Sequence, residues 1–203
     1  MPHPVFVPDR VPEDTGALDV PSPKTSRTPA ARNLGSVPFR EPGFTGEPAG
    51  ERMALGIGTE APDFTLTNTE GEEVTLSELR GTPVYLNFFP AAFSPVCVDW
   101  FGGIGNDASP YEGAVVIGIS VDNRWSLTEF KKQMKADAAH FLADFQPRGE
   151  VAKAYGVFLD QAGVSGRATF VIDANGVIVD VDRVAPLETP DMDRLIASLA
   201  SCR

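Results

Sequence analysis

The chain has 203 residues, of which 42% are apolar and 22% charged, a composition that fits one globular domain with an appendage. Its formal net charge is -11 and its Lys and Arg residues are scattered, which argues against nucleic acid or an anionic membrane as a partner. No apolar run approaches the roughly 20 residues of a membrane-spanning helix. Two cysteines and two histidines provide neither a disulfide framework nor a metal site, and they favour a cytoplasmic protein with reduced thiols.

Residues 1–52 differ from the rest of the chain because they are rich in Pro, Gly, Ser and Thr and show no helical or strand period. Such a segment buries too little apolar surface to offset its ordering entropy, so we predict a disordered or loosely docked extension. It lacks the basic start and continuous apolar stretch of a secretory signal. Its apolar islands, PVFVP and SVPF, could dock on a partner or on the domain, and an extension without a role is the alternative.

The domain is predicted to occupy residues 53–203, and its elements begin with short strands. APDFTLTNTEGEEVTL predicts two strands around a turn at Gly71. SELRG predicts a helical turn that Ser77 caps and Gly81 ends. PVYLNFF, residues 83–89, is an apolar run typical of a strand that is covered on both faces.

Strands and helices alternate through the second half of the domain. GAVVIGISVD predicts a second buried strand that ends at Asp122, and RWSLTEFKKQMKAD has apolar residues at helical spacing. EVAKAYGV predicts a short helix ended by Gly156, and ATFVIDANGVIVDVD predicts two strands joined by a turn at Asn175-Gly176. Residues 191–200 predict an amphipathic helix. This order predicts an α/β fold of the thioredoxin-like type, with a central mixed β-sheet flanked by helices.

Cys97 follows the first buried strand, in FFPAAFSPVCVDWFGG, where a helix should begin. Open α/β sheets bind ligands at the carboxyl ends of their strands, and a helix amino terminus stabilises a thiolate. Pro90 and Pro95 restrict the loop, and the Ser94 hydroxyl can donate or accept a hydrogen bond. The valines on both sides of the cysteine favour the other interpretation, a buried and inert thiol.

This loop resembles the active-site segment of the peroxiredoxin family. PAAFSPVC fits the family pattern Pro-x-x-x-(Thr/Ser)-x-x-Cys, with Pro90, Ser94 and Cys97 at the motif positions. The resemblance extends over about residues 56–199 and includes APDFTL and VIGISVD. AYGVFLDQAGVSGRATFVID resembles the one-cysteine alkyl hydroperoxide reductase E group, and Arg167 within it matches the arginine that completes the family's site.

The resemblance implies a thiol-dependent peroxidase that reduces hydrogen peroxide and organic hydroperoxides and needs no metal, haem or flavin. The Cys97 thiolate would attack the terminal peroxide oxygen and become a sulfenic acid. Arg167 would favour the thiolate and donate to the peroxide oxygens, Ser94 would hold the other oxygen, and Pro90 would exclude water. Together they would stabilise the charge that moves onto the leaving oxygen.

The family resemblance also implies partners. An external thiol, such as thioredoxin, a glutaredoxin-like protein or a low-molecular-weight thiol, would return Cys97 to the reduced state. Cys202 is a possible resolving cysteine, in the same chain or in a partner subunit, although its short tail lacks the Val-Cys-Pro context of two-cysteine members. The alternative is an incidental exposed thiol. Family members usually form homodimers or higher homo-oligomers, and we expect the same here.

Two departures from the family pattern leave a second interpretation open. Trp100 stands three residues after Cys97, where members commonly carry a Glu that helps to hold the arginine. Gly102, Gly103 and Gly105 follow, and because each interior glycine costs about 0.5–1 kcal/mol, we expect a short or broken helix. The protein could then be a catalytically weakened module that binds a partner, or a redox sensor that uses the sulfenic acid as a signal.

Overall fold

The computed structural model describes residues 55–185 and 188–203, so the extension predicted for residues 1–52 lies outside the described residues. The strands of the described part are β1 (Thr65–Thr67), β2 (Glu73–Thr75), β3 (Val84–Phe88), β4 (Val115–Ser120), β5 (Ala139–Ala143), β6 (Phe158–Leu159), β7 (Val164–Ser165), β8 (Arg167–Ile172) and β9 (Ile178–Val184). Its α-helices are α1 (Pro95–Asn106), α2 (Arg124–Met134), α3 (Glu150–Ala154) and α4 (Met192–Ala200). Short 3₁₀ helices span Leu76–Leu79 and Ser109–Tyr111.

A five-stranded mixed sheet in the order β5-β4-β3-β8-β9 forms the centre of the domain. β3 runs parallel to β4, which runs parallel to β5, whereas β8 is antiparallel to both β3 and β9. β1 pairs with β2, and β6 with β7, as separate antiparallel hairpins. This is the mixed sheet with flanking helices that the sequence predicts.

Both faces of the sheet are buried. Because successive side chains of a strand point to opposite sides, neighbouring residues of β3 belong to two different apolar clusters. Leu86 of β3 belongs to an apolar cluster that also includes residues of α3 and the 3₁₀ helix Leu76–Leu79. The neighbouring Tyr85 belongs to a second cluster, formed with residues of α1, α2 and α4. Every residue of β3 is buried, as its continuous apolar run predicts.

Two local expectations differ from the structure. The first helical turn is a 3₁₀ helix with Thr75 at the N-cap, and Ser77 lies inside it with its N–H donated to the Asp63 carboxylate at 2.9 Å. Ser77 is therefore not the predicted cap. The edge strand β5 was not predicted from AHFLA, in which His140 is exposed. The predicted turn before β9 is present, and Gly176 takes the positive φ of 84° that favours glycine there.

The helix after Cys97 is continuous, so the prediction of a short or broken helix is wrong. α1 spans 12 residues and contains all three glycines of this segment. Phe101 and Ile104 are buried on its inner face, and each such side chain contributes about 1.5–3 kcal/mol, more than one glycine costs. Gly105 also permits close packing on α2, because a Cβ there would collide with the Met134 carbonyl oxygen.

Candidate active site

Cys97 lies in the first turn of α1, directly after the loop that follows β3. Pro95 is the first helical residue, where the absent N–H of proline is not needed. Ser94 is the N-cap residue, and its carbonyl oxygen accepts the Val98 N–H at 2.9 Å. The Cys97 side chain is fully buried at this end of the helix, where the partial positive charge of the helix favours an anion.

Arg167 reaches the cysteine from the neighbouring strand. It is the first residue of β8, and the pairing of Phe88 with Ala168 places this end of β8 beside the carboxyl end of β3. Its Nη2 donates a hydrogen bond to Cys97 Sγ at 3.4 Å. Only 2% of Arg167 is exposed, so a permanent positive charge lies beside a buried sulfur.

Ser94 and Pro90 belong to the same loop as Cys97. The Ser94 hydroxyl is buried and has no hydrogen-bond partner within the described ranges. Buried hydroxyl groups are normally satisfied, so this group is available to a polar ligand beside the sulfur. Pro90 is half-buried and follows the strand end by two residues. The structure therefore brings Cys97 and Arg167 into contact, with Ser94 and Pro90 in the adjoining loop.

Asp122 holds this loop, a contact that the sequence analysis missed. Its Oδ2 accepts the Ala92 N–H at 2.7 Å and the Ser120 hydroxyl at 2.8 Å. Phe93, the next residue of the loop, has a left-handed φ of 65° and packs on Phe130 with 5.2 Å between the ring centroids. The sequence does contain a signal for this contact, because Asp122 is a carboxylate two residues after the carboxyl end of β4, the neighbour of β3.

Trp100 lies against the arginine. The guanidinium carbon of Arg167 is 5.7 Å from the centroid of the Trp100 ring. That ring stacks on Phe101 at 5.5 Å with an interplanar angle of 18°. The indole N–H is buried and has no acceptor among residues 55–185 and 188–203. The position that departs from the family pattern is therefore part of the arginine's surroundings.

Cys202 lies at the opposite end of the sheet from Cys97. Arg203 next to it donates a hydrogen bond to the Pro110 carbonyl oxygen at 2.7 Å, on the side where β4 begins. Along the strand direction the two cysteines are therefore about one length of β3 apart, roughly 13 Å. Cys202 Sγ donates to the Ser198 carbonyl oxygen at 3.2 Å, and burial raises the pKa of the Cys202 thiol. The structure does not bring Cys202 to Cys97, and its role as a resolving residue stays a prediction.

Two further observations concern the described part of the chain as a whole. Residues 55–185 and 188–203 contain no group of three or more His, Cys, Asp or Glu side chains that could hold a metal ion. None of the helices in these ranges has the length and apolar character needed to cross a membrane.

Comparison with known proteins identifies the family. The model of the AhpC/TSA family matches residues 57–181. The chain is also 35% identical over 150 residues to alkyl hydroperoxide reductase E of Mycobacterium tuberculosis, an alignment that covers 72% of this chain and 97% of that protein. The chain belongs to the AhpC/TSA family, the peroxiredoxins.

Other matches agree with this peroxiredoxin assignment. Chloroplastic peroxiredoxin Q of Oryza sativa is 36% identical over 166 residues, which cover 80% of this chain and 70% of that protein. Among solved structures, peroxidoxin BcpB of Mycobacterium tuberculosis matches with a TM-score of 0.64 and 29% identity. This match covers 73% of the present chain and 99% of the BcpB chain. A peroxiredoxin-like protein of Aquifex aeolicus has the same fold, with a TM-score of 0.66 and 22% identity. The match covers 73% of this chain and 88% of that protein.

These matches confirm three predictions from the sequence: the peroxiredoxin family, the thioredoxin-like α/β fold and the enzyme class. This peroxiredoxin is a thiol-dependent peroxidase and therefore an oxidoreductase. The assignment of roles to individual residues depends on the geometry around Cys97.

Proposed function

We propose that this peroxiredoxin reduces hydrogen peroxide and organic hydroperoxides through a sulfenic acid on Cys97. The observation that carries the proposal is the hydrogen bond from Arg167 Nη2 to Cys97 Sγ at 3.4 Å, between two buried side chains. A guanidinium carries a permanent positive charge, so it attracts a thiolate sulfur much more strongly than a neutral thiol. The contact therefore supports a reactive cysteine rather than an inert one.

In the proposed reaction the Cys97 thiolate attacks the terminal oxygen of a peroxide. A sulfur–oxygen bond forms, the oxygen–oxygen bond breaks, and the departing oxygen takes up a proton and leaves as water or an alcohol. The sulfur is oxidised by two electrons and the peroxide is reduced by two. Arg167 donates to the oxygen that gains negative charge, the unsatisfied Ser94 hydroxyl holds the other oxygen, and Pro90 excludes water from the loop.

We propose that an external thiol returns Cys97 to the reduced state, supplied by thioredoxin, a glutaredoxin-like protein or a low-molecular-weight thiol. The position of Cys202 at the other end of the sheet supports this, because a disulfide requires Cα atoms within about 7 Å. The first external thiol condenses with the sulfenic acid and releases water, and a second thiol then reduces the mixed disulfide. Since Cys97 is fully buried, a protein thiol reaches its sulfur only after the loop or the first turn of α1 opens.

We also propose that the protein forms a homodimer or a higher homo-oligomer. Phe93 and Phe145 are exposed, and they follow the carboxyl ends of β3 and β5 in the central sheet. Exposed aromatic side chains along one edge of a sheet are characteristic of an association surface. The cytoplasm is the proposed compartment, because Cys97 and Cys202 are both unpaired and reducing compartments keep thiols in that form.

The partner-binding module and the redox sensor are not better supported than the peroxidase. The first alternative would bind a partner through the N-terminal extension or through a broken helix after Cys97, and of these the broken helix is absent because α1 is continuous over 12 residues. A sensor would form the same sulfenic acid but would not consume peroxide in repeated turnovers with an external thiol.

The test is stopped-flow consumption of hydrogen peroxide and of cumene hydroperoxide by the reduced protein, with the mass of Cys97 followed. We expect Cys97 to gain one oxygen atom at the rate at which peroxide disappears. Cys97→Ser should abolish this reaction, and Cys202→Ser, the matched control at the other cysteine, should retain it. Undiminished peroxide reduction by Cys97→Ser would contradict the proposal.

A further inference from the structure

The orientation of the Arg167 guanidinium decides whether its planar set of donors faces the sulfur. The guanidinium carbon lies 5.7 Å from the centroid of the Trp100 ring, within the roughly 6 Å at which a cation and an aromatic face attract each other. Trp100 and Arg167 are only 6% and 2% exposed. Because water is excluded from both groups, this attraction is stronger here than at a protein surface.

The Trp100 ring is itself held in place by the core. Trp100 follows Cys97 by three residues on α1, so the two side chains lie on the same side of the helix. The ring stacks on Phe101, which packs against Phe141 with 4.8 Å between the ring centroids. Gly118 of β4 leaves room for Phe101, because a Cβ at that residue would lie 3.0 Å from its ring. The sheet therefore fixes Phe101, and Phe101 fixes Trp100.

We propose that Trp100 is a positioning residue for Arg167, whose guanidinium it holds against Cys97 through a cation–π contact. The inference rests on the proposed function of Cys97 and Arg167. A side chain that only filled the core would bury no unsatisfied donor, yet the indole N–H of Trp100 has no acceptor in the described ranges. The face of the ring, rather than its N–H, is therefore the part of Trp100 that acts on the guanidinium.

A neutral ring has a chemical consequence that a carboxylate would not have. A carboxylate at this position would form an ion pair with the guanidinium and cancel part of its field at the sulfur. The face of an indole attracts the cation through its quadrupole and carries no net charge. The Trp100 ring therefore holds the guanidinium without itself cancelling the field that Arg167 exerts on the Cys97 thiolate and on the oxygen that leaves the peroxide.

The test compares two variants that differ in the aromatic face. Trp100→Phe keeps a ring face, whereas Trp100→Met fills the core without one. Trp125→Met is the matched control, since Trp125 is 72% exposed and lies 4.2 Å from the guanidinium carbon of Arg124. Each protein is reacted with hydrogen peroxide, which needs the arginine in the transition state, and with iodoacetamide, which needs only an accessible thiolate.

We expect Trp100→Met to slow the peroxide reaction by about 2- to 30-fold, and to slow it more than it slows alkylation. Trp100→Phe should stay within about threefold of the wild type because a phenyl face still attracts the cation. Trp125→Met should match the wild type in both reactions. A folded Trp100→Met protein with the wild-type peroxide rate would overturn the inference, and so would a Trp100→Phe protein as slow as Trp100→Met.

A second measurement preserves the core and decides the matter if Trp100→Met does not fold. In the Trp125→Phe protein, Trp100 is replaced biosynthetically by tryptophans with one to four fluorine atoms, which weaken the aromatic face step by step at nearly constant shape. The peroxide rate should fall with each added fluorine, and a rate independent of fluorination would overturn the inference. If the unmodified protein does not react with peroxide at all, the proposed function fails. If it reacts and the Trp100 series is flat, only the positioning role fails.

Discussion

Arg167→Met tests how much of the peroxide reaction depends on the positive charge beside Cys97. Methionine is unbranched and similar in length, so it can fill a position that is only 2% exposed. The substitution removes the Nη2 donor that lies 3.4 Å from Cys97 Sγ, together with its charge.

The size of the effect follows from that distance. Two unit charges 3.4 Å apart attract each other by about 5 kcal/mol at an effective dielectric constant of about 20. Desolvation of the two buried groups offsets part of this attraction. Removal of one preorganised donor from a site of developing oxygen charge typically costs about 2.7–4 kcal/mol. We therefore expect Arg167→Met to slow Cys97 oxidation by about 10²- to 10³-fold.

Arg167→Lys separates the charge of the side chain from its geometry. An ammonium group keeps the charge but cannot reproduce the planar fork of donors. Cys97 in the Arg167→Lys protein should therefore be oxidised faster than in Arg167→Met and still well below the wild-type rate. Arg80→Met is the matched control, because Arg80 forms a surface ion pair with Glu60 at 3.5 Å, a kind of pair that contributes about 0–1 kcal/mol.

The assay measures the second-order rate constant with hydrogen peroxide by stopped flow. It is measured in a Cys202→Ser background, with the further substitution Cys97→Ser as the blank. Thermal denaturation monitored by circular dichroism shows whether each variant is folded. A folded Arg167→Met protein with the wild-type rate would refute the reasoning, because the guanidinium would then not act on the reacting atoms.

Two further predictions concern the elements that hold the site. Gly105→Ala should lower the free energy of unfolding by about 1–3 kcal/mol because its Cβ would collide with the backbone at the end of α2. Gly102→Ala has open space at its Cβ and should raise the free energy of unfolding by up to about 1 kcal/mol. Urea denaturation measures both changes. Asp122→Ala removes the acceptor of the Ala92 N–H and should slow peroxide oxidation while the protein stays folded, and Asp122→Asn, which keeps an acceptor oxygen, should restore most of the stopped-flow rate. A rate that is equal in Asp122→Ala and the wild type would show that this contact does not position the loop.

Strong local patterns made the centre of the fold predictable. The run at residues 83–89 is apolar throughout, and a strand covered on both faces requires that composition. The turn at Gly176 and the amphipathic helix α4 also carry their signals within a few residues. The edge strand β5 has only one neighbour in the sheet and exposes His140, so its sequence shows no continuous apolar run.

The site is harder to derive because its contacts join distant parts of the chain. Arg167 and Cys97 are 70 residues apart, and no local period relates them, so only the family resemblance could pair them. The glycines after the cysteine predicted a broken helix, because propensity is a local quantity, whereas the burial of Phe101 that stabilises α1 depends on tertiary packing. The contact between Trp100 and Arg167 is of the same kind and was missed for the same reason.

The position and ionisation of Cys202 predict that it does not reduce Cys97 within one chain. Burial raises the pKa of the Cys202 thiol above its ordinary value, so its thiolate appears at a higher pH in the folded than in the unfolded protein. In the Cys97→Ser protein, iodoacetamide should therefore modify Cys202 more slowly in the folded than in the denatured state near neutral pH. This difference should shrink as the pH rises through the raised pKa.

Oxidation by one equivalent of peroxide, without added thiol, provides the direct test of this reasoning. The wild type should then accumulate sulfenic acid on Cys97 and no intrachain disulfide to Cys202, because the two cysteines lie at opposite ends of the sheet and the length of β3 alone is roughly 13 Å. Cys202→Ser should turn over at the wild-type rate with an external thiol. Mass spectrometry under non-reducing conditions follows both products. An intrachain disulfide that forms as fast as the sulfenic acid disappears would contradict the prediction. A disulfide-linked dimer that is lost in Cys202→Ser would instead assign the resolving role to the Cys202 thiol of a second subunit.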